Sequence, residues 1–165
     1  MSMLDTMAAA LLDEGRPRAE VYGYLLGQFV GTPYVWGGSS PLGTDCSGSV
    51  CACLSRATGR PVRVTADELY RRHFTTDVPR VECLDGKIAA AFFLDKSGRA
   101  VHVAGHMGAG LFLNASSIET ERKARPRTWN ELLAMYRGFV PALRVYPGTD
   151  PGTGGKSCGK KEAGL

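Results

Sequence analysis

The order of helical and strand signals along the chain predicts a segregated α+β fold, with helices in the first half packed on an antiparallel sheet from the second. Two observations carry this. Apolar residues recur at three- and four-residue spacings through residues 18–30 and 47–57, as on the buried face of a helix. Residues 88–95, 100–107, 111–115 and 139–146 are instead short apolar runs, separated by short turns. The alternation of strand and helix that marks a doubly wound sheet is missing.

In chain order, residues 1–16 read as an N-terminal extension. Asp5, Asp13 and Glu14 with no basic opening argue against a secretory signal. The helix at 18–30 would bury Val21, Leu25, Leu26 and Phe29. A glycine-rich turn then leads into the helix at 47–57, which carries Val50, Cys51, Cys53 and Leu54. Thr65-Ala66-Asp67-Glu68 has the pattern of a capping box and opens a short helix ending near His73; Thr128-Trp129-Asn130-Glu131 repeats the pattern before Leu132 and Leu133. Residues 17–147 make up one catalytic-sized domain. Residues 148–165, rich in glycine, lysine and threonine, read as a disordered tail in which Cys158 is an exposed thiol with no catalytic role.

Composition narrows the function classes. A chain of 165 residues fits one domain with a real core, and no apolar run approaches the ~20 residues of a membrane span. The formal net charge is +4, with Arg122, Lys123, Arg125 and Arg127 close together. That run lacks interleaved aromatics and any nucleic-acid motif, so it reads as a solvated face and not a nucleic-acid site. Five cysteines cannot all pair within the chain, and there is no C-x-x-C, so neither a full disulfide framework nor a structural metal is expected. Cys51 and Cys53 are expected in the core.

Cys46 stands apart. It follows Gly37-Gly38-Ser39-Ser40-Pro41-Leu42-Gly43-Thr44-Asp45 and would occupy the first turn of the second helix. There it faces backbone N–H groups without intrahelical partners and the positive end of the macrodipole, which favours thiolate. A nucleophilic thiol needs a base, and the chain has three histidines. His73 sits in a basic helical patch. His102 and His106 lie on one strand and, by the two-residue alternation, share a face, while Val101, Val103 and Met107 share the other. On these grounds either could be the base. A turn at Gly108-Ala109-Gly110 would fold the next strand back and bring Asn114 beside His102, where an amide oxygen can hold the imidazole N–H. Asp45 is placed to cap the helix, and Trp36 is expected to pack in the core.

Gly31-Thr32-Pro33-Tyr34-Val35-Trp36-Gly37-Gly38, Asp45-Cys46-Ser47-Gly48 and His102-Val103-Ala104-Gly105-His106-Met107-Gly108-Ala109-Gly110 together resemble the NlpC/P60 cysteine peptidases, papain-like enzymes that cut bacterial cell-wall peptides. The resemblance spans residues 20–145 and implies a catalytic set of Cys46, His102 and Asn114, with the family histidine on His102 rather than His106. It also implies that Tyr34 helps form the oxyanion and substrate region, that Asp45 and Ser47 hold the free amino terminus of a stem peptide, and that no cofactor is needed. Peptidoglycan stem peptides, cut at the γ-D-glutamyl–diamino acid bond, are the implied substrate. Other readings within the fold are an amidase or acyltransferase on another amide or thioester, and a non-catalytic phage tail or wall-binding module. Action at the wall without a visible signal would require a missing export signal, another route, or a phage origin. The chain departs from the family at Asn114, where a histidine is common, and at Leu84-Asp85-Gly86-Lys87, where a Pro-Gly-Asp-Leu-like turn is usual.

Overall fold

The computed structural model describes residues 1–148. Helices α1 (Met3–Asp13), α2 (Arg18–Gly27) and α3 (Cys46–Thr58) come first, with a small hairpin of β1 (Ser39–Ser40) and β2 (Gly43–Thr44) immediately before α3. A three-residue helix α4 (Ala66–Glu68) runs into a π-helical turn at Leu69–His73. The remainder is β3 (Thr76–Asp77), β4 (Ala89–Leu94), β5 (Ala100–Gly108), β6 (Leu111–Asn114), β7 (Arg125–Thr128), α5 (Trp129–Met135) and β8 (Val140–Val145). The larger sheet is antiparallel throughout, in the order β3-β8-β4-β5-β6-β7. The expected α+β architecture is therefore present.

Strand β4 explains how the layers assemble. All six of its residues, Ala-Ala-Ala-Phe-Phe-Leu, are buried, because the sheet is covered on both faces. Ala90, Phe92 and Leu94 join Val21, Leu25, Val50 and Leu54 in the core under α2 and α3. Ala89, Ala91 and Phe93 turn the other way, onto Leu132 and Tyr136 of the α5 region. A strand packed on both faces reads as an unbroken apolar run, and small alanines let the helices approach.

Both capping boxes expected in the sequence cap helices. Thr65 accepts from the Glu68 N–H at 3.2 Å, and Thr128 and Glu131 cap α5 reciprocally. A third box, at Ser2 and Asp5, starts α1. Its aspartate in place of the usual glutamate hid it from sequence reading, which had no element before residue 18. Leu4 and Ala8 pack into the core. Four strands were also missed: β7, whose Arg-Pro-Arg-Thr has no apolar alternation, and β1, β2 and β3, each two residues long.

Trp36 corrects an expectation. It is 86% exposed, not a core residue. The loop that carries it is stitched down by backbone bonds from the two residues before it, Tyr34 N–H to the Arg122 carbonyl and Val35 N–H to the Thr44 carbonyl. With the backbone fixed there and Gly37 at positive φ, the indole faces outward; Trp129 packs against Phe93 and Phe112 instead. Cys51 and Cys53 are fully buried, as expected. Cys46, Cys51 and Cys53 are free thiols, and Cys83 is disulfide-bonded. Of the tail at 148–165, everything from residue 149 on, Cys158 included, lies outside the described residues.

Candidate active site

Cys46 is the first residue of α3, and Asp45 is its N-cap. One Asp45 oxygen accepts the Gly48 N–H at 2.7 Å and the Ser47 hydroxyl at 3.3 Å. The other accepts the Gly37 N–H at 2.8 Å. The carboxylate thus fastens the helix start to the glycine-rich loop. A Cβ at Gly48 would run into the Gly38 carbonyl, so the Cys-Ser-Gly turn can press against the Gly-Gly loop only with glycine at that position.

The cysteine opens onto a groove of ≈ 760 Å³ lined by Tyr34, Trp36, Asp45, Ser47, Arg63 and Val101, among others. Three of the residues assigned to substrate, Tyr34, Asp45 and Ser47, therefore share one groove with the thiol. Arg63, not foreseen, also lines it: its guanidinium donates to the Gly37 carbonyl at 3.1 Å and lies 3.8 Å from Asp45. Asp45 is consequently well compensated, with both oxygens accepting backbone N–H bonds and a cation nearby.

The histidine comes from the sheet. The pairing of β5 with β6 sets Gly105 opposite Leu113, which places Asn114 diagonally across from His102 on the same face, within side-chain reach. Nε2 of His102 lies 2.7 Å from Oδ1 of Asn114. The imidazole is stacked on Tyr136, with centroids 4.5 Å apart and planes 25° apart, and Phe93 packs on it at 6.0 Å. His106 takes the same face four residues on but meets Phe112 instead, at 5.1 Å, and its buried Nε2 has no hydrogen-bond partner. His73 is half-buried in the π-helical turn.

Around Asn114 lies a polar network that sequence reading missed. The Asn114 amide N–H donates to Glu119 at 2.9 Å, and the Tyr136 hydroxyl donates to Oδ1 at 3.1 Å. Glu119, whose side chain is fully buried, is gripped by Arg127 at 2.6 and 2.8 Å. Burial alone would raise the Glu119 carboxyl, but the bonds from Arg127 and Asn114 outweigh it and hold the group below the usual carboxylate range. The sequence pattern alone places Arg127 in a solvated basic run. Its four-residue spacing to Glu131 on the exposed side gave no hint of the buried partner.

The electrostatics overturn the expectation of a preformed thiolate. Burial pushes the Cys46 thiol up to about 11, and the Asp45 charge adds to this, against opposing help from the N–H groups of Val103, Ser47 and Cys46. Burial likewise pushes His102 down to about 4, although Asn114 and Glu119 work to raise it. Asp45 accepts the Gly48 N–H at the helix start, and its negative charge opposes the dipole. Each shift favours the uncharged form, thiol at Cys46 and imidazole at His102. With Nε2–H donated to Asn114, Nδ1 is the nitrogen left to act as a base.

Comparison with known proteins agrees with this architecture. Murein DD-endopeptidase MepH of Escherichia coli is 34% identical over 107 residues, which cover 64% of this chain and 35% of that protein. An NlpC/P60 family protein from Bacillus cereus superimposes with a TM-score of 0.61 at 23% identity, covering 78% of this chain and 40% of that one. RipD of Mycobacterium tuberculosis, described as a non-catalytic NlpC/p60 domain protein adapted to peptidoglycan binding, gives 0.55 at 16% identity and covers 77% and 95%. Residues 31–137, which run from the loop under the cysteine through the histidine strand to α5, match the NlpC/P60 family, and the chain belongs to it.

Proposed function

We propose that the chain is a cysteine endopeptidase that hydrolyses peptidoglycan stem peptides, with the γ-D-glutamyl–diamino acid bond as its target. The observation that carries the catalytic half of this reading is the 2.7 Å contact between His102 Nε2 and Asn114 Oδ1. It holds the imidazole with Nδ1 unprotonated, on a chain that also sets a free, groove-lining cysteine at a helix N-terminus. A triad needs this division of roles. The substrate half rests on membership of the family and on the relative named as a murein endopeptidase.

Catalysis proceeds by general base and then general acid. As Sγ of Cys46 attacks the amide carbonyl carbon, His102 Nδ1 takes the thiol proton. The carbonyl oxygen becomes an oxyanion held by the Cys46 N–H and Tyr34. The imidazolium then protonates the departing amine, leaving a thioester. Water, deprotonated by His102, attacks this thioester and releases the carboxylate, and the proton returns to sulfur. Because the resting pair is neutral, proton transfer accompanies attack and does not precede it.

The test is mass spectrometry of purified muropeptides before and after incubation with the wild type and with Cys46→Ala. Shortened stem peptides from the wild type alone support the reading, and the fragment masses name the bond. Products ending in D-alanine would move the target to a DD cross-link, as the name of the E. coli relative describes. No turnover of any muropeptide, with binding retained, would make the chain a wall-binding module of the kind RipD is described to be.

A further inference from the structure

Behind the histidine lies a chain of side chains that the proposed mechanism does not use: Asn114 to Glu119, Glu119 to Arg127, and Tyr136 back to Asn114. Strands β6 and β7, the loop between them and the residue after α5 supply it, and each link is short. We propose that Glu119, locked by Arg127, is a positioning residue that fixes which way round the Asn114 amide sits and thereby selects the Nε2–H tautomer of His102. This inference rests on the peptidase reading above.

The argument turns on what each group can donate or accept. An asparagine side chain has one acceptor end and one donor end. If Asn114 were turned over, its NH₂ would face His102 Nε2 and its oxygen would face Glu119. An ionised carboxylate only accepts, so the second contact would set two acceptors against each other in a buried site. Glu119 therefore holds the amide with Nδ2 toward itself, at 2.9 Å. Oδ1 must then face the imidazole, and the nitrogen bonded to it at 2.7 Å must carry the hydrogen. That leaves Nδ1 as the acceptor. The Tyr136 hydroxyl, 3.1 Å from the same oxygen, can donate or accept and so leaves the choice of orientation to Glu119.

Arg127 completes the device by keeping Glu119 an acceptor. A carboxylate with a fully buried side chain would tend to take up a proton, and a protonated Glu119 could donate to Asn114 and permit the flip. Two guanidinium bonds at 2.6 and 2.8 Å prevent this. The groups facing Glu119 are the Thr120 N–H, which donates to it at 3.2 Å, Asn114 on β6, Arg127 on β7 and, through Asn114, His102 on β5 and Tyr136 after α5; Glu131 on α5 shares Arg127 at 3.2 Å. Arg127 is the cation of this set that Glu119 touches directly.

The test reads the tautomer and the rate separately. In protein labelled with ¹⁵N-histidine and carrying Cys46→Ala, the wild-type network should give a single Nε2–H tautomer for His102, and Glu119→Gln a mixture, since glutamine can offer Asn114 either end. With Cys46 present, Glu119→Gln should lower kcat about 10- to 100-fold with KM changed less than about two-fold, and Arg127→Lys, which keeps the charge, should restore most of what Arg127→Met loses. Arg127→Met should lose rate mainly at low pH and recover as pH rises and Glu119 ionises. If Glu119→Gln does not fold, the pH-dependent tautomer of Arg127→Met is decisive by itself. A folded Glu119→Gln that keeps one Nε2–H tautomer, or an Arg127→Met deficit independent of pH, overturns the proposal. A wild type without turnover on any muropeptide would remove the peptidase reading and leave the tautomer result standing.

Discussion

The reactivity of Cys46 gives the sharpest check on the electrostatic account. The thiol is pushed from an ordinary 9.0 to about 11, a cost to the thiolate of about 2.7 kcal/mol. A helix N-terminus commonly returns 0.3–1 kcal/mol to an anion and about 2 at best, so burial wins. At pH 7 the thiolate fraction falls from about 10⁻² to about 10⁻⁴. A more basic thiolate is also a better nucleophile, and with a Brønsted slope of 0.4–0.5 the two-unit shift regains a little under ten-fold. Iodoacetamide should therefore modify Cys46 at pH 7 about ten-fold more slowly than an unperturbed exposed thiol. The rate should climb close to one decade per pH unit between pH 6 and 9, with no plateau. Cys51 and Cys53, fully buried with thiols also raised by burial, should react more slowly still in the folded protein. Peptide mapping after timed labelling at each pH measures all three. A plateau below pH 7 that vanishes in His102→Ala would mean a thiolate–imidazolium pair, and would refute the neutral resting state.

Four other outcomes follow from the same geometry. His102→Ala should lower turnover of muropeptides at least ~100-fold, whereas His106→Ala should leave most of it; the reverse result would move the base to His106. Burial holds both His102 and His106 at about 4 against an ordinary 6.5, so the unfolded chain binds more protons between those values. Stability should be full above pH 6.5 and fall on acidification, by about 2 kcal/mol per histidine at pH 5; a Tm that does not change from pH 7 to 5 would contradict this. His106→Leu removes the unpartnered Nε2, so it should raise stability at pH 7 by about 1 kcal/mol and roughly halve that acid sensitivity, as urea melts at pH 7 and 5 would show. Acetylating the L-alanine amine of an L-Ala-γ-D-Glu-diamino acid tripeptide should cost under about ten-fold in kcat/KM, because Asp45 already accepts two backbone N–H bonds beside Arg63; a loss of ~100-fold, abolished by Asp45→Asn, would restore Asp45 as an ammonium anchor.

Local signals were readable and distant ones were not. The period-two alternation and the tight turn after Gly108 were enough to set Asn114 against His102, because a hairpin register is fixed by a few neighbouring residues. The N-cap role of Asp45 and both threonine capping boxes were equally local. Trp36 failed because an aromatic residue gives no sign of which side of a loop it will face; that was decided by bonds to Arg122 and Thr44, the first nearly ninety positions away. Glu119 and Arg127 failed for a related reason. In sequence they are two charges in a charged stretch, and only the pairing of β6 with β7, which the unpatterned Arg125–Thr128 did not announce, turns Arg127 inward onto Glu119. The thiolate expectation failed on magnitude: a helix N-terminus was counted without the burial that comes with it.

The candidate site is built in two halves, each rigid for its own reasons. Asp45, Gly37 and Gly48 lock the cysteine half to the end of α3, while Asn114, Glu119, Arg127 and Tyr136 lock the histidine half to the far side of the sheet. Among the described residues, none of these hydrogen bonds joins one network to the other. What sets the distance between sulfur and imidazole is the packing of α3 on β5 and β4, where Val50 and Leu54 share a core with Phe92 and Val103. Val103 ties the halves most directly, since it follows His102 in the chain and its own N–H is turned toward the Cys46 sulfur. A volume change at this contact shifts one half against the other as a body, and reacting groups displaced by about 1 Å can lose ~100-fold in rate. In the proposed mechanism the apolar contact between α3 and the sheet would therefore set the geometry of the reacting groups.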